Sequence, residues 1–164
     1  MNVIHRIKEE LDIGETKYVL STQEFADGTK EEGYRYLTEF SFEILPSWRY
    51  LTSGVEIEKE IVMAQGSNQI AVNYHMKNRG QEEAVLCVTP FFQFEPKGED
   101  LKEDKIFSRQ DQKITDGKYN LFFETNGETE EFQEKKETYF YRYDECDGRR
   151  ENGTASAVYQ IKNG

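Results

Sequence analysis

The stretch Gly54-Val-Glu-Ile-Glu-Lys-Glu-Ile-Val-Met63, followed by Asn68-Gln-Ile-Ala-Val-Asn-Tyr-His-Met76, determines the fold class. Apolar side chains occupy every second position of each half, with Lys59 as the exception. A period of two is typical of a β-strand with one face packed and the other in water. The stretch therefore predicts two antiparallel strands joined by a turn at Gly66-Ser-Asn68.

Strand-like runs continue on both sides of this pair. Residues 84–94 are almost continuously apolar, which predicts a central strand covered on both faces. Residues 3–12 fit either a short helix or a strand, and Asn126-Gly127 is the dipeptide most typical of a hairpin turn. Further strands are predicted at 17–22, 34–42, 47–51, 106–114, 118–125, 137–143 and 154–162. About nine or more strands at this spacing predict an all-β fold, a large antiparallel β-sandwich, with residues 1–164 as a single domain.

The charge distribution excludes some partners and allows others. The chain carries 32 acidic and 21 basic residues, a net charge of −11. Phosphate binding needs clustered Lys and Arg, so neither nucleic acid nor an anionic membrane is a predicted partner. An uncharged partner such as a sugar is compatible with this charge.

Localisation and cysteine chemistry follow from the same inventory. No apolar run is long enough for a transmembrane helix, and the first residues lack the apolar core of a signal peptide. We therefore expect a cytoplasmic, reducing location. Cys87 lies in an apolar run and is predicted to be a core residue, whereas acidic neighbours at Cys146 disfavour a thiolate.

Residues that could carry chemistry are abundant but not arranged in a recognisable pattern. Glycoside hydrolysis needs two carboxylates about 5–10 Å apart, and none of the many acids is singled out by spacing. The two His, His5 and His75, have no partner at ligand spacing, so no metal and no cofactor are predicted. Aromatic residues such as Trp48 could stack on sugar rings, although large aromatics more often build a core.

Several ordered blocks resemble the N-terminal domain of bacterial and archaeal glycogen debranching enzymes of the amylo-α-1,6-glucosidase type. The matching segments are Leu20–Phe25, Glu32–Leu37, Leu45-Pro-Ser-Trp-Arg-Tyr50, Gly54–Lys59, Asn68–Tyr74 and Thr89–Phe91. The resemblance implies a supersandwich-like β-sandwich that precedes a helical (α/α)6 barrel carrying the catalytic acids. No such barrel is present here, so the chain resembles an incomplete N-terminal domain of a larger enzyme. Many relatives carry Arg-Asp-x-His after the strand matching Thr89–Phe94, and residues 93–98 depart from that element.

The resemblance implies a non-catalytic domain that packs on the catalytic barrel and helps shape a cleft for an α-glucan, such as glycogen or a maltooligosaccharide. Two alternatives stay open, an autonomous carbohydrate-binding module and a purely structural interaction domain. The predicted carbohydrate-binding residues are Trp48 and Arg49, for stacking and hydroxyl contacts, with Glu95 and Asp100 in the long loop at 95–105. We also expect the isolated sandwich to expose an apolar docking face.

Overall fold

Strands make up nearly all of the regular structure in the computed structural model, which describes residues 1–144 and 152–164. They are β1 (Asn2–Ile13), β2 (Thr16–Val19), β3 (Thr22–Glu24), β4 (Lys30–Glu32), β5 (Leu37–Phe42), β6 (Pro46–Thr52), β7 (Val55–Met63), β8 (Ile70–Asn78), β9 (Ala84–Glu95), β10 (Ser108–Gln110), β11 (Lys113–Thr115), β12 (Asn120–Phe122), β13 (Glu128–Phe140) and β14 (Asn152–Asn163). One 3-10 helix, Gly33–Tyr36, precedes β5. The prediction of an all-β fold is confirmed.

The strands form four sheets in which every described pair is antiparallel. The largest has the order β13-β14-β9-β1-β2, and a second has the order β5-β6-β7-β8. Two small sheets, β10-β11-β12 and β3-β4, complete the set. The pair predicted from the alternating stretch is β7–β8, which runs in unbroken register from Val55 opposite Asn78 to Met63 opposite Ile70.

The sandwich is built on the two faces of the five-stranded sheet. Its inner face packs on the four-stranded sheet at one end and on β10-β11-β12 at the other. The first of these cores contains Leu11, Ile13, Leu20, Val55, Ile57, Ala84 and Leu86, and the second contains Phe92, Phe94, Leu101, Phe107, Ile114, Val158 and Tyr159. On the outer face, a third core of Phe91, Tyr139, Ala155 and Ala157 packs against Phe25, next to β3. The predicted central strand is therefore correct: β9 is the middle strand and contributes to all three cores.

Some local predictions need correction. Residues 3–12, for which the sequence left helix and strand open, form a strand, because β1 pairs with β9 on one side and β2 on the other. The single strand predicted at 106–114 is wrong: Asp111 takes a φ of 52° and the chain folds into the hairpin β10–β11. Asn126-Gly127 does not close a hairpin, because β12 pairs with β11 while β13 pairs with β14. Cys87 is buried, as predicted, and Cys146 lies outside the described residues.

Candidate functional site

Trp48 lies on the inner face of the four-stranded sheet, since it stands directly opposite Phe40 on β5 and Lys59 on β7. The Trp48 and Phe40 ring centroids are 5.2 Å apart, and Lys59 Nζ lies 5.6 Å from the Trp48 ring centroid. The indole borders a cavity of about 330 Å³. That cavity combines apolar walls with charged and amide groups, which come from Arg6, Ile7, Glu9, Leu20, Ser21, Thr22, Gln23, Tyr34, Leu37, Tyr50 and Lys59.

Glu9 is the polar centre of this cavity. Its side chain accepts hydrogen bonds from Lys59 Nζ at 2.5 Å, from the Tyr74 hydroxyl at 2.9 Å and from Ser21 Oγ at 2.9 Å. The residue is only 6% exposed. Burial, and then the Glu9 charge, raise the pKa of the neighbouring Tyr50 to about 12. A carboxylate and an ammonium beside flat aromatic faces can hydrogen-bond sugar hydroxyls while a ring packs on the sugar C–H surface.

Arg49 lies on the opposite face of β6 from Trp48, because successive side chains on a strand point to opposite faces. Its guanidinium pairs with Glu39 at 2.5 Å and with Glu58 at 3.6 Å. The structure therefore does not bring Arg49 and Trp48 to one surface.

Glu95 and Asp100 both hold the long connection between β9 and β10. Glu95 is 2% exposed and pairs with Lys105 Nζ at 2.7 Å, and Lys105 also pairs with Asp116 at 3.1 Å. Asp100 Oδ1 accepts hydrogen bonds from the backbone N–H of Thr154 at 2.6 Å and of Leu101 at 2.8 Å. In this arrangement the two acids position the loop relative to the sandwich.

A polar cluster around His5 lies close to Asp100. The imidazole stacks on Tyr139, with ring centroids 5.2 Å apart, and its Nε2 lies 2.5 Å from the Tyr141 hydroxyl. Burial lowers the pKa of His5, against the opposing effect of Gln93 and the Asp100 charge. Burial, and then that same charge, raise the pKa of Tyr141 to about 12. Sequence reasoning missed this cluster because its members are far apart along the chain.

The inner face of the four-stranded sheet extends beyond the core and exposes apolar side chains. We call this surface the overhang; it consists of Phe40, Phe42, Met63 and Ile70, which are 56%, 69%, 77% and 49% exposed. The pairing of Phe40 with Trp48 and of Met63 with Ile70 places all four on the same face as Trp48. The structure thus exposes an apolar surface of the kind expected, and docking on it stays a prediction.

Two observations bear on other classes of site. Within residues 1–144 and 152–164, no group of three or more His, Cys, Asp or Glu side chains is placed to hold a metal ion. In the same residues, no helix has the length and apolar character needed to cross a bilayer.

Comparison with known proteins defines the class of this β-sandwich. Residues 1–160 match the family described as glycogen debranching enzyme N terminal, which covers nearly the whole chain. The chain belongs to this family, and the resemblance found in its sequence blocks is confirmed.

A curated protein, the membrane protein insertase YidC of Thiobacillus denitrificans, is 35% identical over 60 residues. That segment is 37% of this chain and 11% of the insertase, so the chain spans about a ninth of that relative's length. A match this short supports no shared function. No solved structure matches the chain.

Proposed function

We propose that this chain is a non-catalytic β-sandwich of a glycogen-debranching α-1,6-glucosidase, which packs on a catalytic (α/α)6 barrel and helps shape its α-glucan cleft. The observation that carries the proposal is the family match over residues 1–160. The overhang supports it, because exposed apolar patches on a soluble fold mark surfaces that another protein covers. A cytoplasmic location, with no nucleic-acid or membrane partner, is part of the same proposal.

The overhang and three of the predicted site residues, Arg49, Glu95 and Asp100, have a place in this scheme. The overhang meets the barrel. The connection between β9 and β10, held by Glu95 and Asp100, extends toward the substrate cleft. Arg49 lies on the face of β6 that turns away from the overhang and pairs there with Glu39 and Glu58; its side chain is 39% exposed, and a hydroxyl contact there would be peripheral to the cleft.

Docking is tested by adding the full chain to a catalytic domain of this enzyme class expressed as a separate polypeptide. We expect a complex by sedimentation velocity, and the double substitution Phe42→Ser with Met63→Ser should weaken it at least about tenfold, or about 1.4 kcal/mol. Ile106→Ser is the matched control, because Ile106 is 72% exposed but lies outside the overhang. Equal affinities for both variants would contradict docking through the overhang.

The non-catalytic part is tested by assaying the chain alone on a branched α-glucan. We expect no release of glucose above the blank, because in this scheme the two carboxylates that glycoside hydrolysis requires lie on the barrel. Hydrolysis at the rate of a complete debranching enzyme would overturn it.

The cavity beside Trp48 favours a second candidate function, glucan binding by the chain on its own. Its supporting observation is the combination of Trp48 and Tyr34 with the Glu9–Lys59 pair in one cavity. Calorimetric titration with maltoheptaose should then give a millimolar or tighter Kd, and Trp48→Ala should abolish it. If no heat of binding is detected while circular dichroism shows an intact fold, glucan binding is ruled out and only the docking role remains.

A further inference from the structure

The edge of β8 differs from the other edges of the two large sheets in the described chain. β2 has four residues, β5 has a register shift, and β13 has both a register shift and five Glu. β8 has nine residues in regular register with β7, contains no acid or Pro, and carries Lys77 near one end. Natural proteins protect edge strands with charges, bulges or short length, and β8 lacks most of this protection.

This edge forms one wall of a cleft of about 510 Å³, which we call the slot. Consecutive residues of β8, Val72–His75, line that wall, and residues 123–126 line the wall opposite. The floor is the inner face of the five-stranded sheet, where Ile4, Ile7, Val88 and Ile161 are only partly buried. In the described chain β8 pairs with β7 alone, so alternate backbone N–H and C=O groups of β8 face the slot.

A slot with one hydrogen-bonding wall and an apolar floor can accept one additional β-strand. An extended segment placed there pairs with β8 and directs every second side chain onto the floor. A cleft of about 510 Å³ has room for one short extended strand and not for a second sheet. A second copy of this chain would bring its own β7 along the far side of its β8, where residues 123–126 already stand.

Charge defines the chemistry of the occupant. The described residues that line the slot include Glu124 and no Lys or Arg, and the chain as a whole carries a charge of −11. An apolar segment flanked by basic residues is complementary to this field, whereas an acidic segment is repelled.

We propose that the slot binds an extended peptide with alternating apolar side chains and basic flanks, as a fifth strand on β8. This inference does not rest on glucan binding or on docking of the barrel through the overhang. It concerns backbone pairing at the edge of β8, and its surface shares Ile70 with the overhang and Ile7 with the Trp48 cavity.

The binding test uses the full chain and a fluorescently labelled synthetic peptide, Lys-Lys-Val-Thr-Val-Thr-Val-Lys-Lys, at low salt. We expect saturable binding by anisotropy that maltoheptaose does not displace. The same peptide with Pro at its central Val and at the Thr that follows it should bind at least about tenfold more weakly, because successive N–H groups of a strand point to opposite edges, so one of the two lost N–H groups faces β8. A peptide with Glu in place of the Lys residues should bind more weakly still. Equal affinity for the Pro peptide would overturn strand addition.

Amide hydrogen exchange locates the peptide without any substitution. We expect the slot-facing amides of β8 to exchange about tenfold more slowly with peptide bound, while those of the β5 edge are unchanged. Val88→Asn on the floor should weaken binding, and Val62→Asn, on the outer face of the four-stranded sheet, is the matched control. Unchanged exchange in β8 would overturn the proposal. So would β8 protection in peptide-free protein that disappears on dilution, since a second copy would then be the occupant.

Discussion

At the scale of single residues, the Glu9–Lys59 pair is the clearest departure from an apolar sandwich core. Lys59 stands at an apolar position of the β7 alternation, and the structure gives the reason: its ammonium crosses between the sheets to reach Glu9 at 2.5 Å. The side chains of Lys59 and Glu9 are 15% and 8% exposed. Removing one member of such a pair leaves the other charge poorly solvated, which costs far more than losing a surface pair.

Lys59→Met should therefore lower the free energy of unfolding by about 3 kcal/mol, because the buried Glu9 carboxyl group loses its cationic partner. Urea unfolding measures the change. Lys77→Met is the control, since Lys77 is 63% exposed and lies 3.7 Å from Glu56; it should change stability by less than about 1 kcal/mol. Adding Glu9→Gln to Lys59→Met should recover part of the loss, and a double variant as unstable as the sum of both would contradict this explanation.

His5 provides a prediction about pH. Burial lowers its pKa below the ordinary value of 6.5, so the folded chain binds the proton more weakly than the unfolded chain. The contribution of His5 to the free energy of unfolding should be fully present above pH 6.5. It should be lost as the pH falls through 6.5 toward the pKa of the folded state. We expect His5→Gln to flatten the unfolding free energy in this window. An NMR titration in which the His5 ring protonates at or above 6.5 would contradict the prediction.

At the scale of elements, the 3-10 helix at Gly33–Tyr36 is held by a close backbone approach. Gly33 N–H donates to the Ser21 carbonyl at 3.0 Å, and a Cβ at Gly33 would lie 1.9 Å from the Leu20 carbonyl oxygen. The contact fixes where the chain leaves β4 and enters β5, and so it sets the position of Tyr34 at the Trp48 cavity.

Gly33→Ala should destabilise the fold by about 3 kcal/mol, because backbone atoms have to move to admit the methyl group. Gly66→Ala is the control that distinguishes the steric clash at position 33 from the cost of placing an alanine at a positive φ. Gly66 has a φ of 78° and open space around it, so it should cost only about 1 kcal/mol. Thermal unfolding of both variants is the measurement, and equal costs would mean that the close approach is not what requires glycine at 33.

The elements also show what sequence could and could not predict. Alternation identified β7 and β8, and the long apolar run identified β9 as central, because both patterns record burial directly. The hairpin predicted from Asn126-Gly127 was wrong, because a local dipeptide carries no information about which sheet the next strand joins. At the candidate site, Trp48 was predicted because it is an aromatic beside the strongest strands. Glu9 was missed, because its partners Lys59, Tyr74 and Ser21 come from three other parts of the chain.

At the scale of the whole molecule, two properties act against each other. The overhang exposes large apolar side chains that favour association, while the charge of −11 makes copies of the chain repel one another. The range of that repulsion depends on salt: the Debye length is about 10 Å at 0.1 M and about 3 Å at 1 M. In the isolated chain, salt therefore controls which property dominates.

We expect the chain to be monomeric at low salt and to self-associate reversibly near 1 M sodium chloride, as screening removes the repulsion. Sedimentation velocity over a concentration series measures this. Phe42→Ser with Met63→Ser should remove the association, because it deletes the two most exposed overhang side chains. Ile106→Ser should leave it intact, since Ile106 is equally exposed but lies elsewhere. If the double variant associates as strongly as the original chain, the copies associate through a surface other than the overhang.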